Sequence, residues 1–238
     1  MAEGDRVLEV GAGLGSLTMA LAEAGCRVTA VEIDARVAEV LREVVAPYPD
    51  VDVRVDDAMS ADWGALLAND RWAMVSNLPY NISVPLLMEL LQTTPAIERY
   101  LVMVQREVGE RLVAEPASEG YGAVSVRVAY RGQARIVRRV PADVFWPRPN
   151  VDSVLVRIDP RPPTVTVDPE ALFAVVDEGF AERRKTMANA LRRLGLPADR
   201  AADVLTRIGL EPNTRAERLG LHDFARVTRA MLDGGWST

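Results

Sequence analysis

The sequence predicts an α/β protein in which a doubly wound parallel sheet is followed by a small domain made only of helices. Two observations lead to this prediction. Short runs rich in valine alternate with helical periodicities through the first half of the chain, a pattern typical of β-α-β units. After a proline-rich segment at 159–163, every periodic segment has helical spacing.

The first five strands are predicted from apolar runs that are each followed by a helical pattern. These runs are Arg6–Val10, Arg27–Glu32, Val51–Val55, Trp72–Ser76 and Tyr100–Gln105. Between them, apolar residues recur at helical spacing, which predicts helices from about Ser16, over Ala35–Val45, near Ala61, over Val84–Gln92 and from Glu107.

Residues 123–140 have a different character. Two strand-like runs, Ala123–Tyr130 and Ala134–Val140, are joined by Arg131-Gly132-Gln133, and this arrangement predicts a hairpin. Val151–Ile158 alternates in polarity and is the last predicted strand.

The segment Asp159-Pro-Arg-Pro-Pro163 interrupts every regular pattern and marks the predicted domain boundary. We therefore expect a first domain over residues 1–159 and a second domain over residues 160–238. The second domain should hold four or five short helices, with stop signals at Gly195-Leu-Pro197 and Gly209-Leu-Glu-Pro212.

The composition limits the classes of function that the chain can serve. No apolar run approaches the roughly 20 residues that a transmembrane helix needs, so we expect a cytoplasmic protein with no membrane partner. The formal net charge of −6 taken alone disfavours a nucleic-acid partner, because phosphate binding needs clustered cations. Residues 120–159, however, carry seven basic and three acidic side chains. Nothing in the sequence indicates a metal site.

A glycine-rich turn, Gly11-Ala-Gly-Leu-Gly15, follows the first predicted strand and opens a helix. Glycines let the backbone turn tightly against a ligand, although an ordinary strand-to-helix turn uses them too. A dinucleotide fingerprint requires glycine at position 16, where this chain has serine. This difference favours S-adenosylmethionine over NAD, because S-adenosylmethionine has no pyrophosphate. Gly11 and Gly13 are the expected contacts of this cofactor.

Carboxylates near the same predicted sheet edge are further candidates for cofactor binding. Glu32 ends the second strand, where it can accept from both ribose hydroxyls, and Ile33 beside it can cover one face of the adenine. Asp57 and Ala58 follow the third strand and can meet the adenine edge, unless Asp57 and the preceding aspartate form a solvated pair. Glu9 either contacts the methionine amino group or caps a helix.

The segment Asn77-Leu-Pro-Tyr-Asn-Ile-Ser83 supplies an amide, a rigid turn and an aromatic ring directly after the apolar run at 72–76. The carboxyl end of such a strand lies where ligands of open α/β sheets bind. Pro79 fixes the turn, and Tyr80 offers a ring face. This combination suits a flat base that carries an amino group.

Four motifs together resemble the bacterial small-subunit rRNA adenine dimethyltransferases. They are Asn77-Leu-Pro-Tyr-Asn-Ile-Ser83, Val144-Phe-Trp-Pro-Arg-Pro-Asn-Val-Asp-Ser153, Phe180-Ala-Glu-Arg-Arg-Lys-Thr-Met-Ala-Asn-Ala190 and Arg215-Ala-Glu-Arg-Leu219. The resemblance covers nearly the whole chain. It implies a Rossmann-like S-adenosylmethionine-dependent methyltransferase sheet and an all-α C-terminal RNA-binding domain.

The resemblance also implies a substrate. This is a pair of adjacent adenines in a hairpin loop near the 3′ end of 16S rRNA, within the immature small ribosomal subunit. The resemblance further implies that the enzyme is a monomer. Asn77 and the Leu78 carbonyl would accept the amino hydrogens of the adenine, while Tyr80 and Phe145 would stack on its two faces. A second interpretation puts Tyr80 at the rim and Phe145 in the core, with Trp146 exposed.

Cationic side chains are the candidates for RNA contact. Arg183, Arg184 and Lys185 lie at a predicted helix start, where they either contact phosphate or form a solvated charged face. Arg148, in the proline-rich loop, contacts phosphate or pairs with Asp152.

Members of the family carry a segment before the first strand that closes over the cofactor and contacts RNA. Met1 stands about five residues before that strand here. We therefore expect weaker cofactor retention and RNA affinity than in a complete relative.

Two other functions remain open on the sequence alone. The large-subunit (23S) rRNA adenine dimethyltransferases that give macrolide resistance share the fold, although the motifs at 145–149 and 180–190 fit the small-subunit group better. A ribosome-assembly factor with weak or lost catalysis is the other alternative.

Overall fold

The computed structural model describes residues 1–67, 70–182 and 184–237. The strands of this part of the chain are β1 Arg6–Val10, β2 Arg27–Glu32, β3 Val51–Val55, β4 Trp72–Asn77, β5 Ile97–Gln105, β6 Gly132–Val140 and β7 Ser153–Pro160. Its helices are α1 Ser16–Glu23, α2 Ala35–Val45, α3 Trp63–Leu67, α4 Ser83–Thr93, α5 Arg106–Val113, α6 Ala123–Arg131, α7 Pro169–Ala181, α8 Met187–Arg193, α9 Ala198–Arg207 and α10 Leu221–Asp233. Short 3₁₀ turns lie at Ala142–Val144 and Ala216–Arg218.

The seven strands form one sheet in the order β3-β2-β1-β4-β5-β7-β6. The pairs from β3 to β5 are parallel, and β7 runs antiparallel to β5, with Val102 opposite Val156. The strand order reverses between β1 and β4, which creates the switch point at which open α/β sheets bind ligands. The predicted α/β class is confirmed.

The central strands form because nearly every residue in them is buried on one face of the sheet or the other. Val7 and Leu8 of β1 are fully buried, and Trp72 to Ser76 of β4 are buried without interruption. Parallel strands covered on both faces give continuous apolar runs of this kind. The five predicted strands match β1 to β5, with β5 beginning at Ile97.

The predicted hairpin at 123–140 is wrong in its first half. Residues 123–131 form helix α6, and only the second run becomes a strand, β6. The β-branched composition favours a strand locally, but Val126 and Tyr130 lie in a helical core that requires them on one helix face. Tertiary packing has overridden local propensity here.

The chain divides into two compact units. One consists of Met1–Glu110 and Gln133–Arg161, and the other of Arg111–Gly132 and Pro162–Thr238. The predicted boundary had assigned residues 111–132 to the first domain. They belong with the second unit because α6 packs into its core instead of extending the sheet.

The core of the second unit is built from helices. Buried side chains of α6, α7, α8, α9 and α10 meet there, among them Val126, Leu172, Leu191, Leu205 and Phe224. The Tyr121 hydroxyl donates to the Leu219 carbonyl at 2.7 Å and satisfies a buried acceptor in the same core. None of the helices in the described ranges is long and apolar enough to span a membrane.

Tyr100, fully buried on β5, should weaken the fold through its hydroxyl. That hydroxyl has no hydrogen-bond partner among the described residues, and burial raises its pKa above the usual value. We expect Tyr100→Phe to raise the free energy of unfolding by about 1 kcal/mol, because an unpaired polar atom leaves the core. Urea unfolding measures the change.

Tyr121→Phe is the matched control. It removes a hydroxyl that is paired, so its free energy of unfolding should fall by about 1 kcal/mol. Equal losses in both variants would contradict the interpretation of Tyr100.

Candidate active site

The candidate cofactor and substrate residues of the first unit lie along one edge of the sheet. Strands β3, β2, β1 and β4 are neighbours in this order and run parallel, so their carboxyl ends meet at the same edge. The last residues of these strands and the loops that follow them carry Asp57-Ala58, Glu32-Ile33, Gly11–Gly13 and Asn77–Tyr80 in the same spatial order.

The glycines of the first loop occupy their positions for different physical reasons. Gly11, Gly13 and Gly15 have φ angles of 74°, 56° and 88°, a region that disfavours side chains. A Cβ on Gly11 would lie 3.0 Å from Cδ of Pro79, whereas a Cβ on Gly13 would meet nothing within 4 Å. Gly11 therefore allows two loops to approach, and Gly13 borders open space that a ligand can fill.

Glu32 is fixed by backbone donors but keeps acceptor capacity. Its Oε2 accepts from the Gly13 N–H at 2.9 Å, and its Oε1 accepts from the Asp34 N–H at 3.1 Å. Each carboxylate oxygen has a second lone pair for a ligand hydroxyl. The neighbouring Ile33 side chain is 67% exposed, which leaves apolar surface available to cover a base.

Glu9 is a buried carboxyl group inside β1. It is 2% exposed, and its Oε2 has no hydrogen-bond partner in the part of the chain that the structure describes. Burial raises the pKa of Glu9 to about 7. Since it lies within a strand and caps no described helix, the helix-cap alternative is excluded. A cationic group is the partner that would restore its charge.

Asp57 lies in an exposed local turn. Its Oδ1 accepts from the Met59 N–H at 2.9 Å, and its own N–H donates to Oδ1 of Asp56 at 2.8 Å. Ala58 beside it is buried. The carboxylate is therefore oriented by its loop and open to solvent. Within the described ranges, no group of three or more His, Cys, Asp or Glu side chains could hold a metal ion.

The Asn77 turn is held on both sides while its amide is left free. Ser76 Oγ accepts from the Val10 N–H at 2.9 Å, and the Leu78 N–H donates to the Met103 carbonyl at 3.1 Å. The Leu78 side chain is buried, and the Pro79 carbonyl accepts from the Ile82 N–H. Asn77 is exposed, and its side chain makes no hydrogen bond to any described residue. Its polar atoms are available to a ligand.

Tyr80 and Phe145 border one cleft. The cleft has a volume of about 300 Å³ and is lined by Asn77, Leu78, Pro79, Tyr80, Phe145, Trp146, Pro147 and Pro149. Phe145 is half-buried and Tyr80 is 38% exposed, so neither the core nor the rim interpretation describes the pair fully. The described ring pairs do not include Tyr80 with Phe145, so the two rings do not stack on each other.

Ser153, which sequence reasoning did not single out, ties the second motif to the first, and Asp152, expected there only as a partner of Arg148, holds the start of the loop. Ser153 Oγ lies 3.2 Å from the Tyr80 hydroxyl, and Asp152 Oδ1 accepts from the Ala142 N–H at 3.1 Å. The Asp152 carbonyl also accepts from the Arg106 N–H. Asp152 and Ser153 both belong to the motif at 144–153, and this membership is the sequence signal that could have identified them. Arg148 is exposed, and no ion pair joins it to Asp152 among the described side chains.

The second unit carries the other cationic candidates. Arg183 lies outside the described residues. Arg184 and Lys185 are exposed and precede α8, and Lys185 borders a depression of about 500 Å³ whose lining includes Asn189, Arg192 and Arg193. Arg193 pairs with Glu178 and Glu182, whereas the described ion pairs do not include Lys185 or Arg192.

The sheet order, the glycine loop and the Asn77 cleft define a Rossmann-like S-adenosylmethionine-dependent methyltransferase. Residues 1–232 match the ribosomal RNA adenine dimethylase family, and the chain belongs to that family. It is therefore an S-adenosylmethionine-dependent enzyme that methylates adenine in ribosomal RNA.

Sequence relatives cover almost the whole chain. Proteins named ribosomal RNA small subunit methyltransferase A include one from Kineococcus radiotolerans, 46% identical over 237 residues that make up 97% of this chain and 78% of the relative. Another, from Acidothermus cellulolyticus, is 44% identical over 232 residues, or 95% of this chain and 79% of the relative.

Solved structures share the fold. A dimethyladenosine transferase from Plasmodium falciparum has a TM-score of 0.83 at 23% identity and covers 99% of this chain and 93% of its own. The 23S rRNA methyltransferase ErmE has a TM-score of 0.71 at 24% identity, with 97% and 92% covered.

The buried Glu9 carboxyl should make stability depend on pH. Its folded-state pKa of about 7 exceeds the ordinary value of 4.5, so the folded protein binds this proton more tightly than the unfolded chain. The contribution to stability is complete below pH 4.5 and is lost as the pH rises through about 7. Glu9→Gln removes this dependence and should be more stable than wild type by about 2–3 kcal/mol at pH 8.

Urea unfolding of both proteins at pH 4.5, 6 and 8 measures this difference. Glu43→Gln, an exposed helical substitution, is the control and should show no such trend. A difference between Glu9→Gln and wild type that stays constant with pH would show that Glu9 is not desolvated.

Proposed function

We propose that this chain transfers methyl groups from S-adenosylmethionine to the exocyclic amino groups of two adjacent adenines in a 3′-terminal hairpin of 16S rRNA. We further propose that it does so as a cytoplasmic monomer that acts on the immature small subunit. The cleft that combines a free amide with two aromatic rings beside the glycine loop carries this proposal. The small-subunit choice is supported by relatives at 44–46% identity that bear that name.

The residues along the sheet edge suit S-adenosylmethionine. Three features fit a ligand that lies against the glycine loop and carries ribose and adenine groups. They are the open space at Gly13, the half-buried Glu32 carboxylate and the exposed Ile33. Glu9 fits the methionine ammonium, with Gly11 beside it, and Asp57 with Ala58 fits the adenine edge. When bound, the cofactor supplies an electrophilic methyl group on a positively charged sulfur.

The adenine amino group needs activation because its lone pair is delocalised into the ring. We assign this task to the Asn77 side-chain oxygen and the Leu78 carbonyl, each of which would accept one amino hydrogen. Two acceptors on one side pull the nitrogen towards a tetrahedral geometry and aim its lone pair at the methyl group. The hydrogen bonds that hold the turn leave the Asn77 amide unpaired, in keeping with this role.

A strong general base is unnecessary in this scheme. Among the residues that the structure describes, the cleft lining includes no carboxylate, histidine or lysine. The nitrogen becomes acidic only as its bond to carbon forms, so the proton leaves a cationic amine and water can take it. The acceptors therefore contribute by orientation and charge stabilisation instead of by deprotonation.

Tyr80 and Phe145 would hold the target base after it leaves the RNA stack. Enzymes that modify a base extrude it into a pocket that stacks on its faces. Arg148, beside this cleft, would contact phosphate. In the second unit, Arg184, Lys185 and the preceding Arg183 would supply further phosphate contacts. The positions of Lys185 and Arg192 at the depression, outside the described ion pairs, support this.

Labelled S-adenosylmethionine tests the substrate. The protein should label small subunits that lack dimethyladenosine, but neither methylated small subunits nor large-subunit RNA. Label in large-subunit RNA would replace the proposal with the resistance-type activity. Subunit binding without label would favour the assembly-factor alternative.

Asn77→Ala should reduce kcat at least a hundred-fold, the scale expected when one preorganised polar contact to the reacting group is lost. RNA affinity should remain within a few-fold, since the cations are untouched. Rates with saturating RNA and filter binding separate the two quantities. Asn150→Ala, an exposed amide substitution outside the cleft lining, is the control and should keep the wild-type rate. A full rate in Asn77→Ala would remove Asn77 from the mechanism.

Variants of Tyr80 separate its ring from its hydroxyl. Tyr80→Phe loses only the contact with Ser153, so kcat/KM should fall by no more than about three-fold, and Ser153→Ala should match it. Tyr80→Ala also loses the ring, and kcat/KM should fall five- to 150-fold, equivalent to roughly 1–3 kcal/mol of stacking. Steady-state kinetics on unmethylated subunits give these ratios, and equal losses in all three variants would contradict a stacking role.

A further inference from the structure

Trp146 is the one large aromatic side chain in the described ranges that is almost fully exposed. It is 98% exposed, whereas Trp63 is 4% and Trp72 is 7% exposed, and Trp236 donates its ring N–H to the Leu194 carbonyl. An indole ring is normally mostly buried because its apolar area is large. The proposed binding of a base in the cleft depends on Tyr80 and Phe145. It does not explain why the Trp146 ring is exposed.

The position of Trp146 makes it part of the same cleft. It follows Phe145 directly and lines the cleft together with Tyr80, Pro147 and Pro149. The loop that presents it is anchored before and after the indole, because Asp152 accepts from the Ala142 N–H. The exposed ring is therefore presented by a restrained backbone at the mouth of the proposed adenine site.

The surroundings of Trp146 favour a nucleic acid over an apolar partner. Arg148 is exposed two residues later, and Arg138 and Arg139 are exposed at the end of the strand that leads into the loop. The ion pairs of the described residues include none of these three arginines. An exposed aromatic ring with exposed cations near it in the chain suits single-stranded RNA, because bases stack on the ring and phosphates meet the cations.

We propose that Trp146 is a stacking platform for the base next to the target adenine. This inference rests on the proposed function of the cleft. When one adenine is turned out of the stack into the cleft, its neighbour loses a stacking partner on that side. The indole replaces that partner. With two adjacent target adenines, the platform holds whichever adenine is not in the cleft.

Kinetics with three variants test the platform. Trp146→Ala should raise KM for unmethylated small subunits between about five-fold and a hundred-fold with kcat within about three-fold. Trp146→Phe keeps a ring and should recover most of the affinity. Val144→Ala is the matched control, since Val144 is 63% exposed in the same loop, and its KM should equal that of wild type.

A modified substrate shows whether the ring contacts that particular base. A hairpin RNA with an abasic nucleotide beside the target adenine should lose affinity for wild type and for Trp146→Phe. Trp146→Ala should bind the abasic and normal hairpins equally, because the contact is already missing. Equal losses from the abasic change in wild type and Trp146→Ala would overturn the platform.

The remaining outcomes are also decisive. A lowered thermal midpoint in Trp146→Ala, beyond the change in Val144→Ala, would show that the indole packs within the protein and would overturn the proposal. If wild type labels no ribosomal RNA at all, the proposed function fails instead. Wild-type label with unchanged KM in Trp146→Ala refutes the platform alone.

Discussion

The site depends on the close approach of two loops at the point where the strand order reverses. Gly11 follows β1 and Pro79 follows β4, and a Cβ on Gly11 would lie only 3.0 Å from the proline ring. The hydrogen bond from the Val10 N–H to Ser76 Oγ holds the strand ends together just below. One loop is the candidate for the methyl donor and the other for the methyl acceptor. Their separation is therefore fixed by strand pairing and not by a flexible element.

The aromatic cleft depends on a second set of restraints. The loop at 145–150 has no regular structure, yet Asp152 and Ser153 tie its far end to Ala142 and Tyr80. Ser153 is buried at the start of β7, which pairs with β5. The cleft is thus assembled from loops that are each anchored on a strand of the same sheet, the arrangement that best preserves the geometry of a site.

Much of this organisation could be predicted from sequence, for a physical reason. Strands β1, β2 and β4 are buried and short, and helices separate them in the chain, so local composition and tertiary environment agree there. Helix α6 was missed because its valines favour a strand while the helical core requires a helix. The motif at 77–80 indicated the site by its residue types. The roles of Ser76, Asp152 and Ser153 could not be predicted, since they depend on which strand ends meet in space.

The acidic net charge of −6 and an RNA substrate are compatible because electrostatic attraction at a site is local. Screening limits exposed charges to a range of roughly 8–10 Å at physiological salt. Between residues 132 and 150 the chain carries Arg135, Arg138, Arg139 and Arg148 against the single acid Asp143, and these arginines are exposed. Acidic side chains elsewhere can make contacts within the protein. Asp34, for example, caps the N-terminus of α2. Under the proposed function, RNA at the cleft meets the exposed Arg148, and the whole-chain charge governs solubility more than substrate choice.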